Sequence, residues 1–357
     1  MKAKFVLLLV LLVIFFGGCL QPQGQSPKKI GIILPLSGAA ANLGDWVLRG
    51  AEIAKEEINS AGGIGGKPLE FVVEDDQCTG SAAITAFEKL VSVAGVPVVI
   101  GPLCNAASLP VATPARTKKI PFIATGVTTA SVRNSGEFTF TVLPPIEAQT
   151  KRLANFAVKD LRLGNVSIIF VEDEYGKENE STFREALQLE GTEAISSYSF
   201  ARDETDFRSI LAKIGNEETA AILLVGYSPN FVNILKQLKE LGIEKTILSV
   251  SNIQDPKIIE SVPAEIEGIY YTYPELFSED AQKLTQAYGN LYGEEENLPM
   301  YIVAGYSAVK KAAAAIAKCD RDSVCIQGEL GSSLKELPFE IVIKTVKNGR
   351  FVKYNGD

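Results

Sequence analysis

The chain of 357 residues contains no histidine. This absence excludes the Ser–His–Asp and Cys–His nucleophile systems and every metal site that needs a histidine ligand. Basic residues are also outnumbered, because 35 Lys and Arg stand against 43 Asp and Glu and leave a formal net charge of −8. Proteins that bind nucleic acid usually cluster Lys and Arg, so this balance argues against a nucleic-acid partner.

Motifs for hydrolases and nucleotide binding are missing as well. The stretch "GYSAV" (305–309) ends in valine where a nucleophile elbow needs glycine, and "GGIGGKP" (62–68) does not fit a P-loop,. Asp75 and Asp76 end a predicted strand and could hold a metal or act as an acid–base pair, but loop acids are far more often solvated,. The sequence therefore predicts no enzyme, no metal site and no cofactor.

The N-terminus has the pattern of an export signal. A basic start precedes an apolar run over residues 5–16, and the sequence "GGC" then ends at Cys19. This pattern predicts a signal peptide over 1–18, a lipid on the Cys19 thiol and a flexible polar tether over 19–29. The alternative is an N-terminal membrane anchor that stays uncut, and both alternatives place the rest of the chain outside the cytoplasm.

Four further cysteines fit an exported chain, in which disulfides are favoured. Three pairings are possible. The close spacing of Cys319 and Cys325 suggests one small loop, which would leave Cys78 to pair with Cys104. Buried free thiols are the alternative.

The composition is that of an ordinary globular protein, and the length favours two domains over a single core,. From residue 30 onward, apolar runs alternate with helical segments, which is typical of a parallel sheet covered by helices on both faces. The first predicted strands cover 30–36, 69–73, 98–101 and 122–125, with helices over 46–59 and 82–95.

The alternation breaks at 137–145 and then resumes as a second sheet of the same kind. Asn348-Gly349 between alternating strands predicts a closing hairpin over 340–354,. A late hairpin is natural if the chain crosses between the domains more than once. The second predicted strand set covers 166–173, 194–200, 220–226 and 246–250, followed by a transition at 266–277 and helices over 279–292 and 301–318.

Two predicted strands end in similar loops. "VVIGPLCNAAS" (98–108) and "IPFIATGVTTAS" (120–131) both pass from an apolar run into glycine and small polar residues. Turn chemistry alone could explain them. Alternatively, backbone N–H groups and hydroxyls hold a small ligand there, since ligands bind beyond the carboxyl ends of strands in open parallel sheets.

The segment "GAEIAKEEINSAGGIGGKPLEFVVEDDQC" (50–78) resembles the leucine/isoleucine/valine-binding protein family. Members of this family are type I periplasmic binding proteins that serve ABC importers. "YG" at 175–176 and "GY" at 226–227 support the resemblance, which extends from residue 30 to the end of the chain.

The resemblance implies an α/β fold of two doubly wound parallel-sheet lobes joined by three hinge crossings. Lobe 1 would comprise 30–144 plus 276–337, and lobe 2 would comprise 145–275 plus 338–357. It also implies a disulfide between Cys78 and Cys104, a monomer without a cofactor and a membrane permease as partner. Prolines where each lobe pattern stops predict bending at Pro144-Pro145, Tyr273-Pro274 and Leu337-Pro338.

Family ligand contacts carry over onto matching positions in both lobes. In lobe 1, Asn105, Gly126 and Thr128 would bind the charged end groups of an amino acid through hydroxyls and backbone N–H groups. In lobe 2, the two aromatic contacts match Tyr175 and Tyr227.

Three positions depart from the family pattern. Asn105 stands where serine is usual, and Trp46 lies close to Leu43, where an aromatic residue often precedes "GD". Ser251 occupies the position of the acid that meets the ligand ammonium. Because an unpaired buried ammonium is costly, either Asp173, Glu174 or Asp255 replaces that acid, or the ligand is not a standard α-amino acid.

The predicted function is capture of a branched-chain or other apolar amino acid between two lobes for delivery to an ABC importer. The alternatives are an amide, urea-like or carboxylate solute bound by the same fold, or a tethered ligand-sensing module.

Overall fold

The computed structural model describes residues 26–38, 40–126, 128–276, 279–293, 298–334 and 339–356. The predicted signal peptide, Cys19 and the bend predicted at Leu337-Pro338 lie outside these residues. The described chain forms two α/β lobes, each built on one sheet.

The first lobe contains a five-stranded parallel sheet in the order β2-β1-β3-β4-β5. Residues 30–34 are buried on both faces of this sheet, as their unbroken apolar run predicts for a strand covered by helices on two sides,. The first strand begins two residues inside the segment predicted as tether. The strands are β1 (Lys28–Leu34), β2 (Leu69–Asp75), β3 (Val99–Ile100), β4 (Phe122–Ala124) and β5 (Thr139–Thr141), and the helices between them are α1 (Ala41–Ser60), α2 (Gly80–Ser92), α3 (Asn105–Lys118) and α4 (Ala130–Arg133).

The second lobe contains a seven-stranded sheet in the order β12-β11-β10-β9-β8-β6-β7. Its strands are β6 (Val166–Val171), β7 (Ala194–Phe200), β8 (Ala221–Val225), β9 (Thr246–Ser249), β10 (Tyr270–Leu276), β11 (Phe339–Lys347) and β12 (Arg350–Lys353). Its helices are α5 (Ile146–Asn155), which a π-helical turn over Phe156–Asp160 extends, α6 (Glu174–Leu189), α7 (Arg208–Gly215), α8 (Ser228–Glu240) and α9 (Pro256–Ser261).

The predicted hairpin forms the edge of this second sheet. β11 pairs antiparallel with both β10 and β12, so the sheet is mixed at that edge and parallel elsewhere. Asn348 and Gly349 adopt φ values of 54° and 68°, as a two-residue turn with two left-handed positions requires,.

Three helices late in the chain pack on the first lobe. They are α10 (Glu279–Tyr292), α11 (Met300–Cys319) and α12 (Ser323–Ser333), and the sequence did not predict the last. α11 packs directly against α1 because each helix has a glycine, and therefore no side chain, where the two helices touch. A Cβ added at Gly50 would lie 1.9 Å from the Ile302 carbonyl oxygen, and one at Gly305 would lie 2.0 Å from the Val47 carbonyl oxygen.

The chain therefore passes between the lobes three times, after β5, after β10 and after α12. The bend expected at Tyr273-Pro274 is misplaced. Both residues are paired with β11 inside β10, so the second passage begins only after Leu276. The Tyr273 hydroxyl accepts a hydrogen bond from the Met300 N–H at 2.8 Å, which ties β10 to the start of α11.

Both predicted disulfides are present, and both lie in the first lobe. Cys78–Cys104 joins the loop after β2 to the residue that precedes α3, with a Cα–Cα distance of 5.5 Å. Cys319–Cys325 closes the short connection between α11 and α12. The first bridge holds Asn105, the next residue along the chain, at the carboxyl edge of the sheet.

Candidate functional site

The candidate site is the cleft between the lobes, where the carboxyl ends of strands from both sheets meet. Several hydrogen-bonded contacts join the lobes beside this cleft. The Ala130 N–H at the start of α4 donates to both carboxylate oxygens of Glu178 on α6, at 2.9 and 3.0 Å. A second contact, between Arg133 and Glu147 at 2.9 Å, lies nearer the first passage between the lobes. The lobes therefore touch beside the loop over 120–131, one of the two loops predicted to hold a ligand.

The first lobe contributes small polar groups. Asn105 begins α3, and its side-chain oxygen accepts a hydrogen bond from the Thr129 hydroxyl at 3.4 Å. This bond links the loop after β3 to the loop after β4. Thr128 is only 8% exposed, and its carbonyl oxygen accepts from the Ile146 N–H of the second lobe.

Gly126 is positioned by a close backbone approach. A Cβ added there would lie 2.6 Å from the Leu103 carbonyl oxygen and 2.7 Å from the Leu103 Cγ. The loops after β3 and β4 therefore pack against each other with no room for a side chain at Gly126,.

The second lobe contributes aromatic rings and a carboxylate. Tyr175 and Tyr227 lie with ring centroids 6.0 Å apart, and the Tyr227 hydroxyl donates to Asp173 Oδ2 at 2.8 Å. The Arg202 guanidinium lies 4.3 Å from the Tyr227 ring centroid, in cation–π contact,. Burial, more than any neighbouring charge, raises the pKa of both phenols well above the ordinary tyrosine value. The hydroxyls of Tyr175 and Tyr227 therefore remain protonated donors at neutral pH.

Ser251 is buried at the start of a 3-10 turn, 6% exposed, directly beyond β9. The turn provides no carboxylate at that position. The nearest acid along the chain, Asp255, accepts a hydrogen bond from the Lys257 N–H at 3.0 Å and caps α9. Ser251 and Asp255 therefore lie in one loop, where Ser251 begins the 3-10 turn and Asp255 caps the helix that follows.

Tyr301 was not predicted from the sequence. It lies in the first turn of α11, and its ring stacks on Trp46 at a centroid distance of 6.4 Å and an interplanar angle of 19°. Burial, with a contribution from the Asp255 carboxylate, raises its pKa to about 12. The Tyr301 phenol also raises the pKa values of Tyr175 and Tyr227. The tyrosines of the second lobe thus lie within electrostatic reach of the first-lobe pair Trp46–Tyr301.

An open groove runs along one side of this cleft. Its lining includes the Ala130–Glu178 contact together with Glu147, Glu174, Lys177 and Thr182. Burial raises the pKa of Glu178, and the opposing effect of its bond from Ala130 is smaller.

Asp75 and Asp76 are held in local hydrogen bonds after β2. Asp75 accepts from the Leu36 N–H and the Ser37 hydroxyl, which shapes the loop after β1. Asp76 is buried and accepts from the Cys78 N–H at 2.8 Å, and burial raises its pKa to about 6. Among residues 26–356, gaps excepted, no three His, Cys, Asp or Glu side chains are grouped to hold a metal ion. In the same part of the chain, no helix has the length and apolar character needed to cross a membrane.

Comparison with known proteins gives one family match. A profile described as "Periplasmic binding protein" matches residues 27–348. Among curated proteins, the leucine-, isoleucine-, valine-, threonine-, and alanine-binding protein of Pseudomonas aeruginosa is 22% identical over 291 residues, which is 81% of this chain and 78% of the relative. The Leu/Ile/Val-binding protein of Escherichia coli is 23% identical over 70% of this chain and 68% of the relative.

Solved structures have the same fold. The leucine binding protein LivK of Thermotoga maritima superposes with a TM-score of 0.83 and 24% identity, covering 92% of this chain and 97% of its own. A solute binding protein of R. palustris in complex with benzoate superposes with a TM-score of 0.76 and 18% identity, covering 92% and 95%. At these identities the similarity establishes the fold but does not identify the ligand.

Proposed function

The chain belongs to the periplasmic binding protein family, and on that premise we propose that it is the extracytoplasmic solute-binding component of an ABC importer. It is a binding protein and not an enzyme. The solute would be enclosed between the lobes, and the closed form would be presented to a membrane permease. Curated relatives are named for branched-chain amino acids, which makes such an amino acid the first candidate.

One observation carries the amino-acid proposal. Each lobe offers one kind of group that suits an amino acid: the first has small hydroxyl and backbone groups around Asn105 and Thr128, and the second has protonated phenols beside the Asp173 carboxylate. The first group suits the ligand carboxylate, because N–H and O–H donors can hold an anion without a buried cation. The Trp46–Tyr301 stack would pack against an apolar side chain.

An aromatic carboxylate is a second candidate. Ser251 leaves the expected ammonium position without an acid, and four aromatic rings approach the cleft from the two lobes. Aromatic pairs favour stacked or tilted contact, so a flat ring could replace the aliphatic side chain. One structural neighbour is a benzoate complex, which suits this candidate.

Native mass spectrometry of the purified protein, followed by calorimetric titration of L-leucine, L-phenylalanine and benzoate, separates the candidates. We expect an amino acid to bind and benzoate to bind weakly. Tight benzoate binding without amino-acid binding would replace the lead ligand and leave the binding-protein function intact. No binding of any small solute would reject the function itself.

The attachment and the lobe limits complete the proposal. We keep the lipid on Cys19 and the lobe limits at 144/145 and 337/338 as proposals, while β1 shortens the tether to 19–27 and β10 moves the second lobe limit to 276/277. A monomer is expected because the site lies within one chain. Cys19→Ser should move the protein from the membrane fraction to the soluble fraction, and unchanged retention would argue against the lipid.

A further inference from the structure

We propose that Asp173 supplies the negative charge that meets the ligand ammonium, in place of the acid that is missing at Ser251. The inference rests on the proposed amino-acid function. It fixes which end of the site carries the charge and therefore how the ligand lies in the cleft.

The Asp173 carboxylate is held by two bonds and keeps acceptor capacity. Oδ1 accepts from the Gly176 N–H at 2.9 Å, which caps α6, and Oδ2 accepts from the Tyr227 hydroxyl at 2.8 Å. An ionised carboxylate offers about four lone-pair sites, so each oxygen can still accept one further bond. The two existing bonds fix the orientation of the carboxylate before a ligand arrives.

Asp173 also lacks a cation of its own. Within the described part of the chain, no Lys or Arg side-chain nitrogen lies within 4.0 Å of its carboxylate. Arg202 contacts the ring of Tyr227 and not the acid, and Lys177 pairs with Glu172 at 3.9 Å. A half-buried carboxylate without a cation is a favourable place for an incoming ammonium.

The sheet order relates Asp173 to the vacant position. Asp173 follows β6, Tyr227 follows β8 and Ser251 follows β9, and these strands are neighbours in the order β9-β8-β6. With a strand spacing of about 4.8 Å, the Asp173 carboxylate lies about 10 Å along the sheet edge from the family's acid position at Ser251. Tyr227 follows the middle strand of the three, and its hydroxyl is hydrogen-bonded to Asp173.

The other two acids fit this role less well. Glu174 is exposed and lines the outer groove. Asp255 caps α9 and raises the pKa of Tyr301, so its influence falls on the Trp46–Tyr301 pair. Only Asp173 is hydrogen-bonded to one of the two tyrosines that match family ligand contacts.

The test is calorimetric titration of L-leucine and of 4-methylpentanoate, which is leucine without its amino group. Asp173→Asn keeps an oxygen that can cap α6 but removes the charge. Loss of a hydrogen bond to a charged group should weaken leucine binding roughly 10- to 100-fold and leave 4-methylpentanoate binding unchanged or tighter.

Two variants control for indirect effects. Asp255→Asn makes the same charge change at the other capping aspartate and should leave the leucine-to-acid preference unchanged. Tyr227→Phe removes the hydroxyl bond to Asp173 but keeps the charge, so the preference for leucine over the acid should persist.

The outcomes are distinct. If wild-type protein binds leucine but Asp173→Asn weakens leucine and the acid by the same factor, Asp173 only positions Tyr227 and the inference is overturned. A loss of preference in Asp255→Asn alone would also overturn it. If wild-type protein binds 4-methylpentanoate but not leucine, or binds neither, the amino-acid function fails together with the inference.

Discussion

The two lobes contribute different kinds of residue to the cleft between them. The first lobe presents small residues on loops that a disulfide and a close glycine contact hold in place, at Cys78–Cys104 and Gly126. The second lobe presents phenol rings and the Asp173 carboxylate, held by hydrogen bonds and ring contacts. Within the described residues, both disulfides lie in the first lobe.

This difference suggests a division of labour. A ligand carboxylate is the same for every amino acid, so a rigid cradle of N–H and O–H groups can receive it without adjustment. The ammonium is also shared by α-amino acids, so the Asp173 charge would separate amino acids from other carboxylates, and the aromatic rings would select among side chains. The first lobe would then set affinity, and the second lobe would set the choice of solute.

Removal of the disulfides should have the largest effect on stability. The Cys78–Cys104 bridge spans 26 residues and the Cys319–Cys325 bridge spans 6. Chain entropy gives about 3.5 kcal/mol for the longer loop and about 2 kcal/mol for the shorter one. Denaturant unfolding of the two double Cys→Ser variants measures both values. Equal losses would show that loop length does not control the stability that each bridge contributes.

Thr128→Val should weaken leucine binding roughly 10- to 100-fold, because it removes the hydroxyl that we propose bonds the ligand carboxylate and keeps the side-chain shape. Thr117→Val, on the exposed end of α3, removes a hydroxyl far from the cleft and is the matched control. Calorimetry should find equal losses for leucine and 4-methylpentanoate, since both carry the carboxylate. A loss confined to leucine would assign Thr128 to the ammonium and break the proposed division.

The contact between Ala130 and Glu178 should give the smallest effect. Glu178→Ala removes one hydrogen bond across the cleft and should weaken leucine binding roughly 2- to 10-fold. Glu174→Ala, on the same groove but outside that bond, should not. Unchanged affinity in Glu178→Ala would show that the bond does not contribute to closure.

The same residue predicts a pH dependence. Burial where the lobes touch raises the pKa of Glu178, and we expect opening of the cleft to expose this carboxylate and to reduce the shift. Closure therefore takes up a proton, so the contribution of this group to affinity is present at acid pH and falls as pH rises through the raised pKa. Glu178→Gln, which imitates the protonated acid, should bind leucine with less pH dependence than the wild type, and an identical pH profile would contradict this account.

The sequence predicts much of both sheets because the signals for their strands and turns are local. Apolar runs at 30–36 and 122–125 mark buried strands, the glycine-rich loops follow them, and Asn348-Gly349 specifies the hairpin by turn geometry alone,. Resemblance to a family added the positions Asn105 and Thr128, which single-sequence patterns would not separate from ordinary turns.

The remaining site residues depend on contacts between distant segments. Tyr301 reaches the cleft because Gly50 and Gly305 allow α11 to approach α1, and nothing in its own neighbourhood marks it. Asp173 could be named from sequence only as one of three acids, since its bond to Tyr227 joins residues 54 positions apart. Helix α12 lacks a clear apolar stripe, which explains why it was missed.

Solution X-ray scattering of the protein with and without saturating L-leucine tests the central claim, that two unlike lobes close on one solute. A ligand shifts the population toward the closed form only if it binds that form better. The account predicts a smaller radius of gyration in the presence of leucine, and no such change with D-glucose as a non-ligand. Identical profiles with and without leucine, at concentrations where calorimetry shows saturation, would contradict closure as the means of capture.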